Sequence, residues 1–151
     1  MNMRPGCLRL LINLYPPYWG TGITVKHISQ DYREVRVQMK MRWYNRNYVR
    51  SHFGGSLYAM TDPFFMVMLM HILGKDFVVW DKEGHIEFIK PSRGTVFARF
   101  LIEQKHIKTI IDRTSEGQKF LPEFSVDIQD EAGEAVARVV KTLYIRKKAA
   151  K

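Results

Sequence analysis

An α+β fold is predicted: one long apolar helix wrapped by a curved antiparallel sheet, with an extra helix ahead of the first strand. Three observations carry this. Residues 52–74 are apolar on nearly every side, through Leu57, Met60, Phe64, Phe65, Met68, Leu69 and Leu73, and a helix that is apolar all round belongs in a core or in a membrane. Residues 34–44 alternate strictly, with Val35, Val37, Met39, Met41 and Trp43 on one face and Arg36, Gln38, Lys40, Arg42 and Tyr44 on the other. That period marks a strand with one buried and one wet face. More strand-like segments joined by short turns follow the helix, and helix segregated from antiparallel strands is the α+β class.

The elements follow in order. Residues 6–15 place Leu8, Leu11, Ile12 and Tyr15 at helical spacing, and Pro16-Pro17 stop that helix. A turn through Gly20 and Gly22 leads to a first strand over 23–29, and Asp31-Tyr32-Arg33 turn the chain into the strand at 34–44. A polar loop, 45–51, enters the apolar helix, which Gly74 closes as a C-cap. The unbroken apolar part falls short of the ~20 residues that span a bilayer, so the helix is expected inside a soluble domain. Residues 77–80 read as a strand, 81–84 as a bend, and 86–89 as a resumed strand. Residues 90–94, KPSRG, make a turn by composition, and 95–102 form the next strand. Ile107, Ile110 and Ile111 recur at helical spacing and predict a short surface helix within 103–117. Residues 120–129 and 134–146 pair as strands across a hairpin turn at 130–133.

The chain of 151 residues is the size of one domain, 1–151, and its 46% hydrophobic content fills a sizeable core. No internal repeat or linker divides it. Cys7 is the one cysteine, which rules out an intrachain disulfide and favours a reducing compartment; its place among leucines suggests packing. The N-terminus does not read as a signal peptide, because Arg9 interrupts the apolar run and Pro16-Pro17-Tyr18-Trp19 follow it. A cytoplasmic location is expected. The net charge of +9 suits an anionic ligand, although part of it is a basic tail at Arg146, Lys147, Lys148 and Lys151. No nucleic-acid-binding signature accompanies it, and the five histidines show no metal-ligand spacing, so no nucleic-acid partner and no metal are expected.

The chemistry is expected around the central helix. Gly54-Gly55 open it, where the first backbone N–H groups lack intrahelical partners. Such groups can polarise a carbonyl oxygen that gains negative charge; equally, two glycines simply make the turn. Asp62 lies about two helical turns beyond Gly55, on roughly the same face. A carboxylate in an apolar stretch needs a hydrogen bond or an ion pair if buried. It reads either as a general base or nucleophile or as the N-cap of a restarted helix with Pro63 at the first position. Asn47 could orient substrate or water, or hold its own loop. His52 could be an acid, base or donor, or cap the loop. The methionines of the helix read as core, or as lining of an adaptable pocket. Ser56 has no nucleophile-elbow context, which argues against a serine hydrolase.

Asn47, Gly54-Gly55 and the following Ser56-Leu57-Tyr58-Ala59-Met60-Thr61-Asp62, together with the Pro–Gly step in residues 87–96, resemble the signature of hotdog-fold acyl-CoA thioesterases of the phenylacetate-degradation type. The resemblance covers roughly residues 23–146, with the nearest likeness to a subgroup sometimes fused to acetyltransferases. It implies a sheet wrapped around the helix, homodimers or dimers of dimers, and sites at the dimer interface, with Asp62 from one subunit and the Asn47 loop from the other. It implies an acyl-CoA or other acyl thioester as substrate, with coenzyme A present only as part of that substrate. The Gly55 N–H would polarise the thioester carbonyl, Asp62 would activate water or attack, and Asn47 would position either. Gly54, Phe53 and Tyr58 border the same stretch as substrate contacts, and Lys90 and Arg93 are candidate phosphate contacts. A non-catalytic acyl-CoA or lipid-binding module and a dehydratase are the alternatives. Aligned on the glycine pair, Phe53 stands where the family has His, His52 falls one residue early, Arg50 takes the place of the family's first Gly, and Pro63 follows Asp62 directly.

Overall fold

The computed structural model describes residues 3–149. Two short helices, α1 (Pro5–Asn13) and α2 (Pro16–Thr21), precede strands β1 (Ile23–Ile28) and β2 (Glu34–Met39). The central helix comes next as two pieces, α3 (Gly54–Ala59) and α4 (Phe64–Leu73). Then follow β3 (Phe77–Phe88), β4 (Val96–Leu101), α5 (Gln104–Arg113), β5 (Lys119–Phe120), β6 (Glu123–Gln129) and β7 (Ala135–Lys147). The strands form one antiparallel sheet in the order β1-β2-β4-β6-β7-β3, with β5 on β7. The sheet wraps the central helix, which is the hotdog arrangement.

Alternation builds the concave face. Val35, Val37 and Met39 of β2, Val96, Ala98 and Phe100 of β4, Phe124, Val126 and Ile128 of β6, and Val139, Leu143 and Ile145 of β7 are all buried. The helix answers with Phe64, Phe65, Met68 and Leu69. Phe64 meets Phe100 at 4.9 Å between ring centroids, and Phe65 stacks on Phe124 at 5.0 Å. Burying side chains of this size is worth about 1.5–3 kcal/mol each, so this seam holds helix to sheet. By length and composition Gly54–Leu73 is long and apolar enough to cross a membrane, contrary to the reading from the unbroken run. Here its Phe64, Phe65, Met68 and Leu69 are packed against the sheet instead.

Several boundaries differ from the sequence reading, each for a physical reason. The central helix breaks at residues 60–63 because Pro63 has no N–H to give to the Ala59 carbonyl one turn back. Pro63 itself occupies the N-cap of α4 and no side chain caps it, so Asp62 is not the cap. Pro16 and Pro17 end α1 but also open α2, where proline's fixed φ suits the first turn. There are thus two N-terminal helices rather than one. Strand β2 stops at Met39 although the alternation runs on, because Met39 is the last residue with partners on both sides, Ile23 and Val96; Trp43 beyond it is exposed. The expected bend at 81–84 is a bulge inside one long strand, since β7 keeps pairing across it. Leu121 and Pro122 separate β5 from β6. Cys7, expected to pack, is exposed, because α1 turns Pro5, Leu8 and Ile12 inward instead.

The two edges of the sheet differ. Along β1, the Asn13 carboxamide donates to the Val25 carbonyl at 3.0 Å and accepts from the Val25 N–H at 2.7 Å, and Arg9 Nη1 donates to the Lys26 carbonyl. Side chains of α1 thus take the hydrogen bonds that a further strand would make. Among the described residues no strand pairs with the outer side of β3. Tyr18 of α2 donates to the Ala59 carbonyl at 3.2 Å, the group that Pro63 leaves without its helical partner.

Candidate active site

Asp62 sits on the break in the central helix, and its side chain is 53% exposed. The carboxylate does have an ion-pair partner, and that partner is the buried member of the pair. Lys141, 2% exposed, lies on the inward face of β7 with its ammonium 2.9 Å from Asp62 Oδ1. A buried ammonium is costly unless paired, and Lys141 has three neighbours. Asp81 Oδ2, beside the β3 bulge, is 3.4 Å away, the Tyr58 hydroxyl accepts at 3.5 Å, and the ammonium lies 5.4 Å from the Tyr58 ring centroid. Burial works against the charge on Lys141, but the hydrogen bond to Asp62 and the charges of Asp81 and Asp62 outweigh it and hold the ammonium above the ordinary lysine value. Burial pushes the Asp81 carboxyl up, against the pull of Lys141. Asp81 Oδ1 is buried with no hydrogen bond among the described residues.

The break also opens space. A groove of about 610 Å³ runs between the N-terminal helix pair and the central helix, lined by Leu11, Ile12 and Tyr15 on one side and by Tyr58, Asp62 and Val67 on the other. Asp62 and Tyr58 are the two sequence-derived candidates that share it.

The remaining candidates lie elsewhere. Asn47, His52, Gly54 and Lys90 line a separate cavity of about 360 Å³. Asn47 is engaged by its own loop: Nδ2 donates to Ser51 Oγ and to the His52 carbonyl, and Oδ1 accepts from the Ser51 N–H. His52 Nε2 is 2.8 Å from the Gly94 carbonyl. A carbonyl only accepts, so Nε2 carries the proton and the neutral ring leaves Nδ1 bare; Nδ1 is buried with no partner among the described residues. Burial holds the His52 pKa below its ordinary value, only partly offset by the Gly94 bond. Lys90 is clasped by Asp130 at 2.8 Å and by Glu134, and Arg93 is exposed. Phe53 and Gly55 line a third cavity of about 410 Å³. The Phe53 ring lies over Gly55, so that a Cβ there would come within 2.6 Å of it. Arg50, at the place of the family's first Gly, has φ 62°, the left-handed conformation that glycine adopts freely.

Lys141 and Asp81 are the two members of the site that sequence reasoning misses. A signal for Lys141 exists: Val139, Lys141, Leu143 and Ile145 share one face of β7, and a charge on an apolar strand face demands a partner. Asp81 falls in the expected bend and carries no comparable signal.

Sheet, central helix and break define an α+β protein of the hotdog class. Within that class the chain belongs to the family described as a domain of unknown function (DUF4442), whose sequence profile matches residues 7–145. Solved structures share the fold. PA5026 of Pseudomonas aeruginosa, a protein of unknown function termed a probable thioesterase, has a TM-score of 0.82 at 20% identity, covering 97% of this chain and 99% of that one. The thioesterase HI1161 of Haemophilus influenzae has a TM-score of 0.71 at 14% identity, covering 99% and 95%. A mutant form of the thioesterase PA1618 of Pseudomonas aeruginosa has a TM-score of 0.68 at 8% identity, covering 93% and 92%. At these identities the likeness is one of fold. No curated protein sequence matches the chain significantly.

Proposed function

We propose that the protein hydrolyses an acyl thioester, an acyl-CoA in the first instance, with Asp62 as the carboxylate that activates water. The observation that carries this is the asymmetry of Asp62. Its Oδ1 is pinned by Lys141, while Oδ2 carries no hydrogen bond among the described residues and the side chain borders an apolar groove. A carboxylate fixed through one oxygen keeps the other for a proton. In the reaction, Oδ2 takes a proton from water as the water oxygen bonds to the carbonyl carbon. The C–S bond then breaks and the leaving thiolate takes a proton back. The thioesterase names of HI1161 and PA1618, which share the fold, support the same chemistry.

Asn47 and Asp62 line different cavities of one chain. This suits a homodimer in which the Asn47 loop of one subunit faces Asp62 of the other, with the outer side of β3 as the pairing edge. For the coenzyme A phosphates, exposed Arg93 is the better candidate, since Lys90 already has two carboxylates. A dehydratase would need an imidazole free to reach substrate, and His52 is spent on Gly94. The non-catalytic acyl-CoA-binding reading is favoured by one observation, the Phe53 ring lying over Gly55, where a thioester carbonyl would need access to the backbone N–H.

Thiol release from short, medium, long and aromatic acyl-CoAs, for wild type and Asp62→Asn side by side, tests the proposal. Wild type is expected to turn over part of the panel and the folded variant to lose ~10²–10⁴ in rate. No turnover by wild type on any member, together with a melting temperature raised by an acyl-CoA, would replace hydrolysis with binding.

A further inference from the structure

We propose that the groove between the N-terminal helix pair and the central helix is the acyl-chain site, and that it takes an aliphatic chain of medium or greater length. This rests on the reading that the acyl carbonyl meets Asp62.

The groove is built by specific contacts. Pro63 breaks the central helix and gives no hydrogen bond to the Ala59 carbonyl, which accepts from the Asp62 N–H at 3.4 Å and from the Tyr18 hydroxyl at 3.2 Å. The bond from Tyr18 fixes α2 to the break. Asn13 fixes the end of α1 to the edge of β1 through both polar groups of Val25. Anchored at these two points, the helix pair does not collapse onto α4, and a space of about 610 Å³ stays between them. This is the size of pocket that holds a drug-sized ligand, far larger than an acetyl group needs. Its walls are apolar, and Leu11 and Tyr15 remain 53% and 55% exposed. Leaving such surface in water forgoes a favourable transfer that an apolar occupant would supply. Asp62 is the carboxylate in the lining. A chain lying along the groove therefore ends at the group expected to act on its carbonyl, which selects an acyl chain over other apolar occupants. The cation beside Asp62, Lys141, lies behind the groove lining and already faces two carboxylates, Asp62 and Asp81, so a free fatty acid's carboxylate would be a third negative charge there, which favours the neutral thioester.

The test is binding of non-hydrolysable S-alkyl thioethers of coenzyme A (ethyl, octyl and dodecyl) by isothermal titration calorimetry, with the oligomeric state followed by sedimentation. Wild-type affinity is expected to rise from ethyl to octyl by about twofold to fourfold per methylene. Leu11→Asp lies on an exposed face and is expected to fold; it should abolish most of that rise while leaving the ethyl thioether unaffected. Ala59→Phe, which fills the groove from the other wall, should do the same. A rise with chain length that neither variant reduces would overturn the assignment, as would no rise at all or no binding of any thioether. So would a groove variant that alters only the oligomeric state, which would make the occupant a second copy of the chain. Because the probes cannot be hydrolysed, the two proposals fail separately. Groove-dependent binding with no turnover of acyl-CoA removes hydrolysis and keeps the site; turnover indifferent to the groove variants removes the site and keeps hydrolysis.

Discussion

The ammonium of Lys141 stands 2.9 Å from Asp62 Oδ1, across the gap between the last strand and the break in the central helix. The lysine is the buried member and the aspartate the exposed one, so the two respond differently to loss of their partner. Asp62 can return to water; Lys141 cannot.

Lys141→Met removes the buried charge but leaves Asp81, whose side chain is mostly buried, without its cation. Breaking a fully buried pair costs about 3–5 kcal/mol. The exposure of Asp62 reduces that here, and a loss of about 1–3 kcal/mol is expected in urea denaturation at neutral pH. In an Asp81→Asn background the same substitution should cost less, and a double-mutant cycle gives the coupling. A cycle with no coupling would mean that Asp81 and Lys141 do not interact in solution.

Asp81 and His52 give pH dependences of opposite sign. The Asp81 carboxyl is raised above its ordinary 3.8, so the folded state holds that proton more tightly than the unfolded chain. Its contribution is fully present below 3.8 and is lost as pH rises through the folded value. Asp81→Asn should flatten that fall. His52 is depressed below 6.5, so its contribution is present above 6.5 and is lost as pH falls through the folded value. Nuclear magnetic resonance of the imidazole should show titration below 6.5 and, when neutral, the Nε2–H tautomer. An Nδ1–H tautomer would contradict the bond to Gly94.

Arg50 holds a left-handed backbone, φ 62°. That conformation costs a residue with a Cβ roughly 1–2 kcal/mol, part of which glycine forfeits through its freer unfolded chain. Arg50→Gly is expected to stabilise the fold by roughly 0.5–1 kcal/mol in chemical denaturation. Destabilisation would show that the guanidinium makes a compensating contact.

Gly84 faces the Tyr58 hydroxyl so closely that a Cβ there would overlap it. Gly84→Ala must push the ring away from Lys141, and overpacking of this kind costs about 1–3 kcal/mol. Tyr58→Phe removes the overlapping atom, so the double variant should recover part of the loss in thermal unfolding. Equal losses with and without the hydroxyl would locate the strain in the backbone of β3 instead.

The wrapping of helix by sheet was legible because burial on one face imposes a period of two on Val35, Val37 and Met39, and because a run as apolar as Phe64 to Leu73 needs a core to cover it; which side of that run packs on the sheet was not legible, since Met70 is as apolar as the buried Met68 yet 49% exposed. Strand ends were not legible, because an end is set by where the neighbour stops: the alternation beyond Met39 continues with nothing to pair to. Pro63 announced the break, but where it left Asp62 depended on Lys141, far away in sequence and packed beside it only through the sheet. The separate placement of Asn47 and Asp62 was likewise invisible, since loop hydrogen bonds to Ser51 and His52 decide where Asn47 points.

The unequal edges of the sheet bear on how far assembly can proceed. A strand edge is a template that another copy can extend, and two open edges permit head-to-tail growth without limit. With Asn13 holding both polar groups of Val25 and Arg9 the Lys26 carbonyl, the middle of the β1 edge is closed to a further strand, and β3 is the edge left open among the described residues. In the homodimer proposed above, two copies joined there would turn their β1 edges outward, and strand addition would end at a closed, two-fold particle instead of a fibre. In that assembly Asn13, remote from Asp62 in the chain and in chemistry, would act as a stop on polymerisation, and Asn13→Ala is the change that would free Val25 again.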